Sequence, residues 1–154
     1  MTVTTVATAT FLSDCTIFLR DDILNNVTDP ISSIRPTGEN FVMTSYPRRP
    51  VHYPLITIQN INIVETASLG FRTPHHLIEL PLEIRIWARN VKERDELSQD
   101  ALNRLRNIQF TATGTVFANL FNFSVNSAVN VDEEGEAGIK SKVIEVQYSF
   151  IWGA

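Results

Sequence analysis

Apolar and polar residues alternate most regularly in Ile78–Arg106, IELPLEIRIWARNVKERDELSQDALNRLR, and the period changes partway along. Ile78, Leu80, Leu82, Ile84, Ile86 and Ala88 recur at every second position, which puts them on one face of a strand. Glu79, Glu83, Arg85, Trp87 and Arg89 fall on the other face. After a tight turn the spacing becomes helical. Leu97, Ala101, Leu105 and Ile108 form one apolar stripe, and Lys92, Glu93, Arg94, Asp95, Glu96, Asp100, Arg104 and Arg106 are assigned to the exposed side. One side of this unit builds a core; the other presents mixed charge and a tryptophan.

The rest of the chain falls into weaker patterns. A first helix is predicted over Phe11–Val27, capped by Ser13 or Asp14, with Leu12, Cys15, Leu19 and Ile23 along one face beside Phe11 and Phe18. Thr28-Asp29-Pro30 stops it, because proline disfavours helix in the residue before it. Residues 30–54 show no period and are rich in proline. Phe41, Val42, Met43, Tyr46 and Tyr53 give them apolar anchors, so they read as an extended arm that packs against something, another subunit being one candidate. Residues 1–10 lack the basic start of a secretory signal and read as a flexible or docking arm.

Leu55–Val64 is predicted as a strand with Ile56 and Ile58 inward, and with Ile61 and Ile63 inward after a bulge. Glu65–His76 reads as a polar, hairpin-like connection. Phe117–Val131 sets Phe121, Phe123, Val125, Val129 and Val131 against Asn122, Ser124, Asn126, Ala128 and Asn130. Asp132–Gly138 is an acidic turn. Val143–Trp152 closes the pattern, with Ile144, Val146, Tyr148, Phe150 and Trp152 inward and Glu145, Gln147 and Ser149 outward. The order α-β-β-α-β-β predicts an α+β fold: a mostly antiparallel sheet of about four strands with two helices on one face, in a single domain over residues 1–154.

Composition narrows the function. A formal charge of −4 is the wrong footprint for a nucleic-acid binder. Cys15 is the sole cysteine, which excludes an internal disulfide framework, and its apolar setting marks it as a small buried hydrophobe. No apolar run approaches the ~20 residues of a membrane span, so no membrane partner is expected and synthesis is placed in the cytosol.

Candidate chemistry is thin. His75, His76 and Glu79 carry metal-ligand types, but adjacent histidines in an extended segment point in opposite directions, so at most one joins Glu79. Asp132, Glu133, Glu134 and Glu136 do not match a calcium loop and read as a charged hairpin tip. Arg48 and Arg49, between Pro47 and Pro50, suit a salt-bridge contact to a neighbouring chain better than a phosphate site. The glycines form no phosphate-cradling loop, no Gly-x-Ser-x-Gly elbow is present, and Asp21-Asp22 is assigned to a helix surface. No catalytic residue, metal or cofactor is expected, and the chain is read as a non-enzyme. Trp87 beside Arg85 and Arg89 is different, because tryptophan and arginine are enriched at interface hot spots. With Tyr46, Arg94, Asp95, Arg48 and Arg49 they form the predicted subunit interface.

Three stretches together, SYPRRPVHYPLITI (Ser45–Ile58), LEIRIWARNVKERDELSQDALNRLR (Leu82–Arg106) and VIEVQYSFIW (Val143–Trp152), resemble the tail terminator, or tail-completion, proteins of long-tailed phages and archaeal tailed viruses. In that family a Pro-rich lead enters the first strand, an Ile-Trp-like strand end precedes a charged helix, and two strands finish the fold. The resemblance implies a hexameric ring that caps the tail tube and docks onto the head-side connector or stopper. It also implies passage of genomic DNA without sequence-specific binding, and a place at the head-proximal neck of the virion after assembly in host cytoplasm. Asp132, Glu133, Glu134 and Glu136 are then expected at the lumen or rim, where acidic charge repels DNA. The rival readings are a head-closure protein, a small α+β binding module, and a hydrolase built on His75, His76 and Glu79.

Overall fold

The computed structural model describes residues 10–46, 50–61, 64–69, 75–110, 120–131 and 138–152. Its elements run α1 (Phe11–Asn26), β1 (Val42–Met43), β2 (Leu55–Asn60), β3 (Val64–Leu69), β4 (His75–Ala88), α2 (Val91–Phe110), β5 (Leu120–Asn130) and β6 (Lys140–Trp152). The strands form one sheet in the order β1-β2-β4-β6-β5, with β3 also on β4. All pairings are antiparallel except the short β1 on β2. The fold is α+β as expected, with β1 and β3 added to the expected order.

Strand β4 is the spine. Its residues Ile78, Leu80, Leu82, Ile84, Ile86 and Ala88 are all buried, as the alternation required. Both helices cover this face. Cys15, Phe18, Leu19 and Ile23 of α1 and Leu97, Ala101, Leu105 and Ile108 of α2 join Ile56, Ile58, Ile144, Val146 and Tyr148 in one cluster. Each fully buried Ile or Leu there contributes about 1.5–3 kcal/mol relative to an exposed one. α1 lies against β1 and β2, and α2 against β4, β5 and β6.

The expected strand Leu55–Val64 is interrupted, and Pro81 supplies the reason. Asn60 pairs Leu82 and Val64 pairs Glu79, so among the described residues the ladder on this edge of β4 breaks at Leu80 and Pro81. A strand residue's N–H and C=O point to the same side. The Pro81 carbonyl accepts from Ile61 N at 3.1 Å, so its missing N–H also faces this edge, where no ladder bond can form. β2 therefore stops and β3 resumes along the same edge of β4. Residues 65–69, expected as connection, are strand because they pair with β4, with a register shift between Glu65 and Ala67. Ile61, expected inward, is 49% exposed at the break; Ile63 lies outside the described residues.

Other boundaries shift for local reasons. α1 starts one turn before the predicted cap: Thr10 is its N-cap residue, and its hydroxyl donates to the Asp14 carboxylate at 2.7 Å while Ser13 bonds back to the Thr10 carbonyl. Leu12 consequently sits half exposed, and Phe18 occupies the core. In β5 a register shift between Val125 and Ser127 moves the strand by one position. Val125 packs on the core, whereas Val129 pairs Val143 on the opposite face and is exposed. The side chains of Phe121, Phe150 and Trp152 lie outside the described ones.

Candidate functional site

The sheet face turned away from the helices holds Arg85 and Trp87 of the sequence-predicted interface, with Tyr46 against it. Its rows are fixed by register: Leu55–Trp87–Ser141, then Thr57–Arg85–Val143–Val129, then Gln59–Glu83–Glu145–Ser127. Trp87 is half buried by its own chain. Its indole Nε1 donates to Thr57 Oγ1 at 3.0 Å, the Arg85 guanidinium carbon lies 4.1 Å from its ring centre, and the Tyr46 ring lies 4.9 Å away, tilted by 53°. Arg85 also donates to Ser141 Oγ at 3.2 Å, and the Ser141 hydroxyl bonds to the Val131 carbonyl. The Tyr46 and Tyr53 hydroxyls bond to each other, so the segment before β2 folds over this end of the face. Tyr46 and Trp87 were both placed at the predicted interface, but not against each other within one chain. Their contact has no sequence signal, because it joins an irregular segment to a distant strand.

One row down, Glu83 and Glu145 stand directly opposite each other. Like charges across a strand pair destabilise the sheet, and among the described residues neither carboxylate has an ion-pair partner. The face thus runs from an aromatic and arginine end to an acidic middle.

The charged residues at the start of α2 have internal duties. Asn90 Oδ1 accepts from Glu93 N at 2.9 Å, and Glu93 Oε1 accepts from Arg89 N at 3.1 Å, which closes a reciprocal cap close to a capping box. The Arg89 guanidinium adds a bond of 2.6 Å to Glu93. Burial acts to raise the Glu93 carboxyl, but the Arg89 hydrogen bonds and charge outweigh it and hold the pKa below the ordinary value. Arg94, assigned from sequence to the exposed side, is only 5% exposed, and its Nε meets Asp95 at 3.0 Å. It lies one turn before Leu97 on the buried stripe, and its guanidinium reaches the half-exposed Asp95. Asp95 takes Lys142 as well, at 3.4 Å, and the Arg94 hydrogen bond leads in lowering its pKa.

Two polar locks escaped the sequence reading. Asp22, expected on a helix surface, is partly buried with its side chain turned in, and accepts from Arg104 Nε and Nη2 at 2.8 and 2.5 Å, which ties α1 to α2. Arg35 binds Asp29 at 2.6 and 3.1 Å, donates to the carbonyls of His52 and Pro54 at 3.0 and 2.5 Å, and sits 5.4 Å from the Phe41 ring centre. Glu39 receives His52 N and Nδ1, and the backbone bond leads in lowering its pKa. Residues 29–54 are therefore stapled to β2 of their own chain where they are described.

Arg48, Arg49, Asp132, Glu133, Glu134 and Glu136 lie outside the described residues. His76 shares the parity of Ile78 and Glu79 the opposite one, so they project to different faces of β4. Among the described residues no group of three or more His, Cys, Asp or Glu converges to hold a metal, and no helix is long and apolar enough to cross a membrane. A groove of about 390 Å³ between α1 and β1 is lined by Arg20, Leu24, Asn40 and residues 42–45 and brings no acid and base together.

No family model matches the sequence, and no curated protein matches it. By structure the chain is similar to a chain in the virion of a native gene transfer agent particle, with a TM-score of 0.51 over 72% of this chain and 78% of that one, at 9% identity. At that identity the likeness establishes the fold.

Proposed function

We propose that this protein is a structural component of a phage-like virion: a tail terminator that forms a hexameric ring, closes the tail tube and joins it to the head-side connector. The fold shared with a virion chain carries the reading, and the three stretches that resemble tail terminators agree with it. No catalysis, metal or cofactor enters the role. A ring needs two different patches per subunit that meet heterologously and close. The face around Tyr46, Arg85 and Trp87, with exposed Val129 and Val131 beside it, is suited to be one of them. The opposed Glu83 and Glu145 favour a cationic group from a neighbour, and Arg48 and Arg49 are the proposed source. Asp95, half exposed, borders the same contact. Asp132, Glu133, Glu134 and Glu136 fall between β5 and β6 in the sequence, and we place them at the lumen or rim, where they keep passing DNA from sticking.

The test is cryo-electron microscopy of virions or purified tails from the source of this chain. A hexameric ring of this subunit at the head-proximal end of the tube is the expected result, and absence of the chain from the particle would overturn the assignment. Arg85→Glu should weaken assembly while the isolated subunit keeps its far-ultraviolet circular dichroism. Undiminished assembly would remove the outer face from the contact.

A further inference from the structure

The sheet ends on an edge strand that carries neither a charged side chain nor a proline. β5 is outermost, and among the described residues it pairs only with β6. Edge strands expose a row of backbone donors and acceptors, and chains usually blunt them with charge, proline or brevity. At the opposite side β1 is two residues long. β5 runs eleven residues, LFNFSVNSAVN, without a charge or a proline. Its register shifts lie between Phe121 and Ser124 and between Val125 and Ser127, so Ser127–Asn130 is regular strand. In and just after that run Val129 is 55% exposed and Val131 38%.

The same chain carries a segment of the complementary kind. Residues 1–9, MTVTTVATA, hold no charge and no proline, and Thr2, Val3, Thr4, Thr5, Val6 and Thr8 are β-branched, the type that fits a pleated surface. Fully extended they reach about 30 Å, close to the length of β5. Valine and threonine opposite serine, asparagine and valine make favourable cross-strand pairs.

We propose that residues 1–9 of one copy add as a strand to the open edge of β5 in a second copy. Arm and edge are different patches, which is the heterologous geometry a closed ring needs. Main-chain hydrogen bonds supply the affinity and the small side chains of β5 admit the arm, as in other strand additions. The exchange between copies rests on the ring reading. Within one copy α1, which follows the arm, lies against β1 and β2, across the sheet from β5.

The experiment uses the full chain, a chain lacking residues 1–9, and the edge variant Val129→Lys/Val131→Lys, whose changes fall on exposed side chains and spare the core. A synthetic peptide of residues 1–10 is titrated onto the armless chain while amide hydrogen exchange is followed in β5. Exchange there should slow by about tenfold or more on saturation, and should not slow in the armless edge variant. Sedimentation should show that the armless chain and the full-length edge variant each fail to assemble alone. Mixed together they should form a heterodimer through the one intact edge and the one intact arm. Three results would overturn the proposal: no slowing at saturating peptide, assembly of the armless chain as readily as the full chain, or β5 amides already protected in dilute full-length monomer but not in armless monomer, which means the arm folds on its own copy. Arm-dependent oligomers that never close into a ring would leave strand addition standing and sink the ring.

Discussion

Replacing Arg35 by methionine tests whether the Pro-rich segment is part of the folded body or an appendage. The guanidinium is 5% exposed and faces an Asp29 carboxylate that is 15% exposed. It also satisfies two carbonyls, of His52 and Pro54, just before β2 begins. A hydrogen bond to a charged group is worth about 1.5–3 kcal/mol, but the four bonds share one guanidinium and do not add. Removing one partner of a buried pair costs about 3–5 kcal/mol, chiefly because the other charge is left stranded. For a chain of this size that loss corresponds to a fall in Tm of about 6–20 °C. Urea unfolding followed by tryptophan fluorescence gives the free energy directly. Asp29→Asn should cost a similar amount, and the double variant little more than either, because the two changes destroy the same interaction. A variant within about 1 kcal/mol of the parent, with unchanged amide protection at Phe41–Met43, would refute the reasoning.

The remaining expectations are narrower. Arg104→Met breaks the partly exposed tie to Asp22 and should cost about 1–3 kcal/mol in urea unfolding, with Asp22→Asn rescuing part of it; a neutral single variant would show that the helices need no tie. Cys15 is fully buried, and desolvation, with the nearby Asp14 charge, pushes its thiol up to about 12. Maleimide at pH 8 should therefore label it at least about 10³-fold more slowly in the native chain than in urea, and equal rates would contradict the burial. The carboxyls of Glu39, Glu93 and Asp95 titrate below their ordinary values of 4.5, 4.5 and 3.8. Their contribution is complete above those values and is lost as pH falls through the lower folded ones. Thermal stability should thus be flat in this respect from neutral to about pH 5 and decline below it, and Glu39→Gln/Glu93→Gln/Asp95→Asn should soften the decline. Asn90→Ala removes the side-chain acceptor of the α2 cap and should lower monomer stability by about 1 kcal/mol yet leave subunit stoichiometry alone, a split that sedimentation alongside melting curves can read.

How much was legible follows from where the signal lies. The apolar stripe of the β4–α2 unit was readable because period-two and helical patterns over long runs are set by one core, and every predicted core position from Ile78 to Ile108 is buried there. β1 and β3 were not: one is too short to show a period, and the other is broken by the register shift between Glu65 and Ala67. Pro81 did carry a sign of the break between β2 and β3, since a proline inside a central strand has to face a gap in the ladder. Arg94 was misplaced because a long side chain can bury its stem on an apolar stripe while composition counts it as surface. The locks at Asp22–Arg104 and Asp29–Arg35 depend on tertiary approach, and no local spacing announces them.

That distribution of roles bears on how the outer face can bind. Arg89 is committed to the α2 cap and Arg94 is buried, so neither can be lent to a neighbour without loosening the subunit. Trp87 is held from three directions by Thr57, Arg85 and Tyr46, and is fixed before any partner arrives. An aromatic already locked in place spends little entropy on binding, which is where much of the cost of association lies. The opposed Glu83 and Glu145 act the other way: they cost the free subunit some stability and return it once a cation is brought between them. A rigid aromatic end beside an unneutralised acidic middle describes a surface that is tolerable alone and better covered. On the ring proposed above, such a face gives a subunit held together by Arg35 and Arg104 a reason to close on its neighbours.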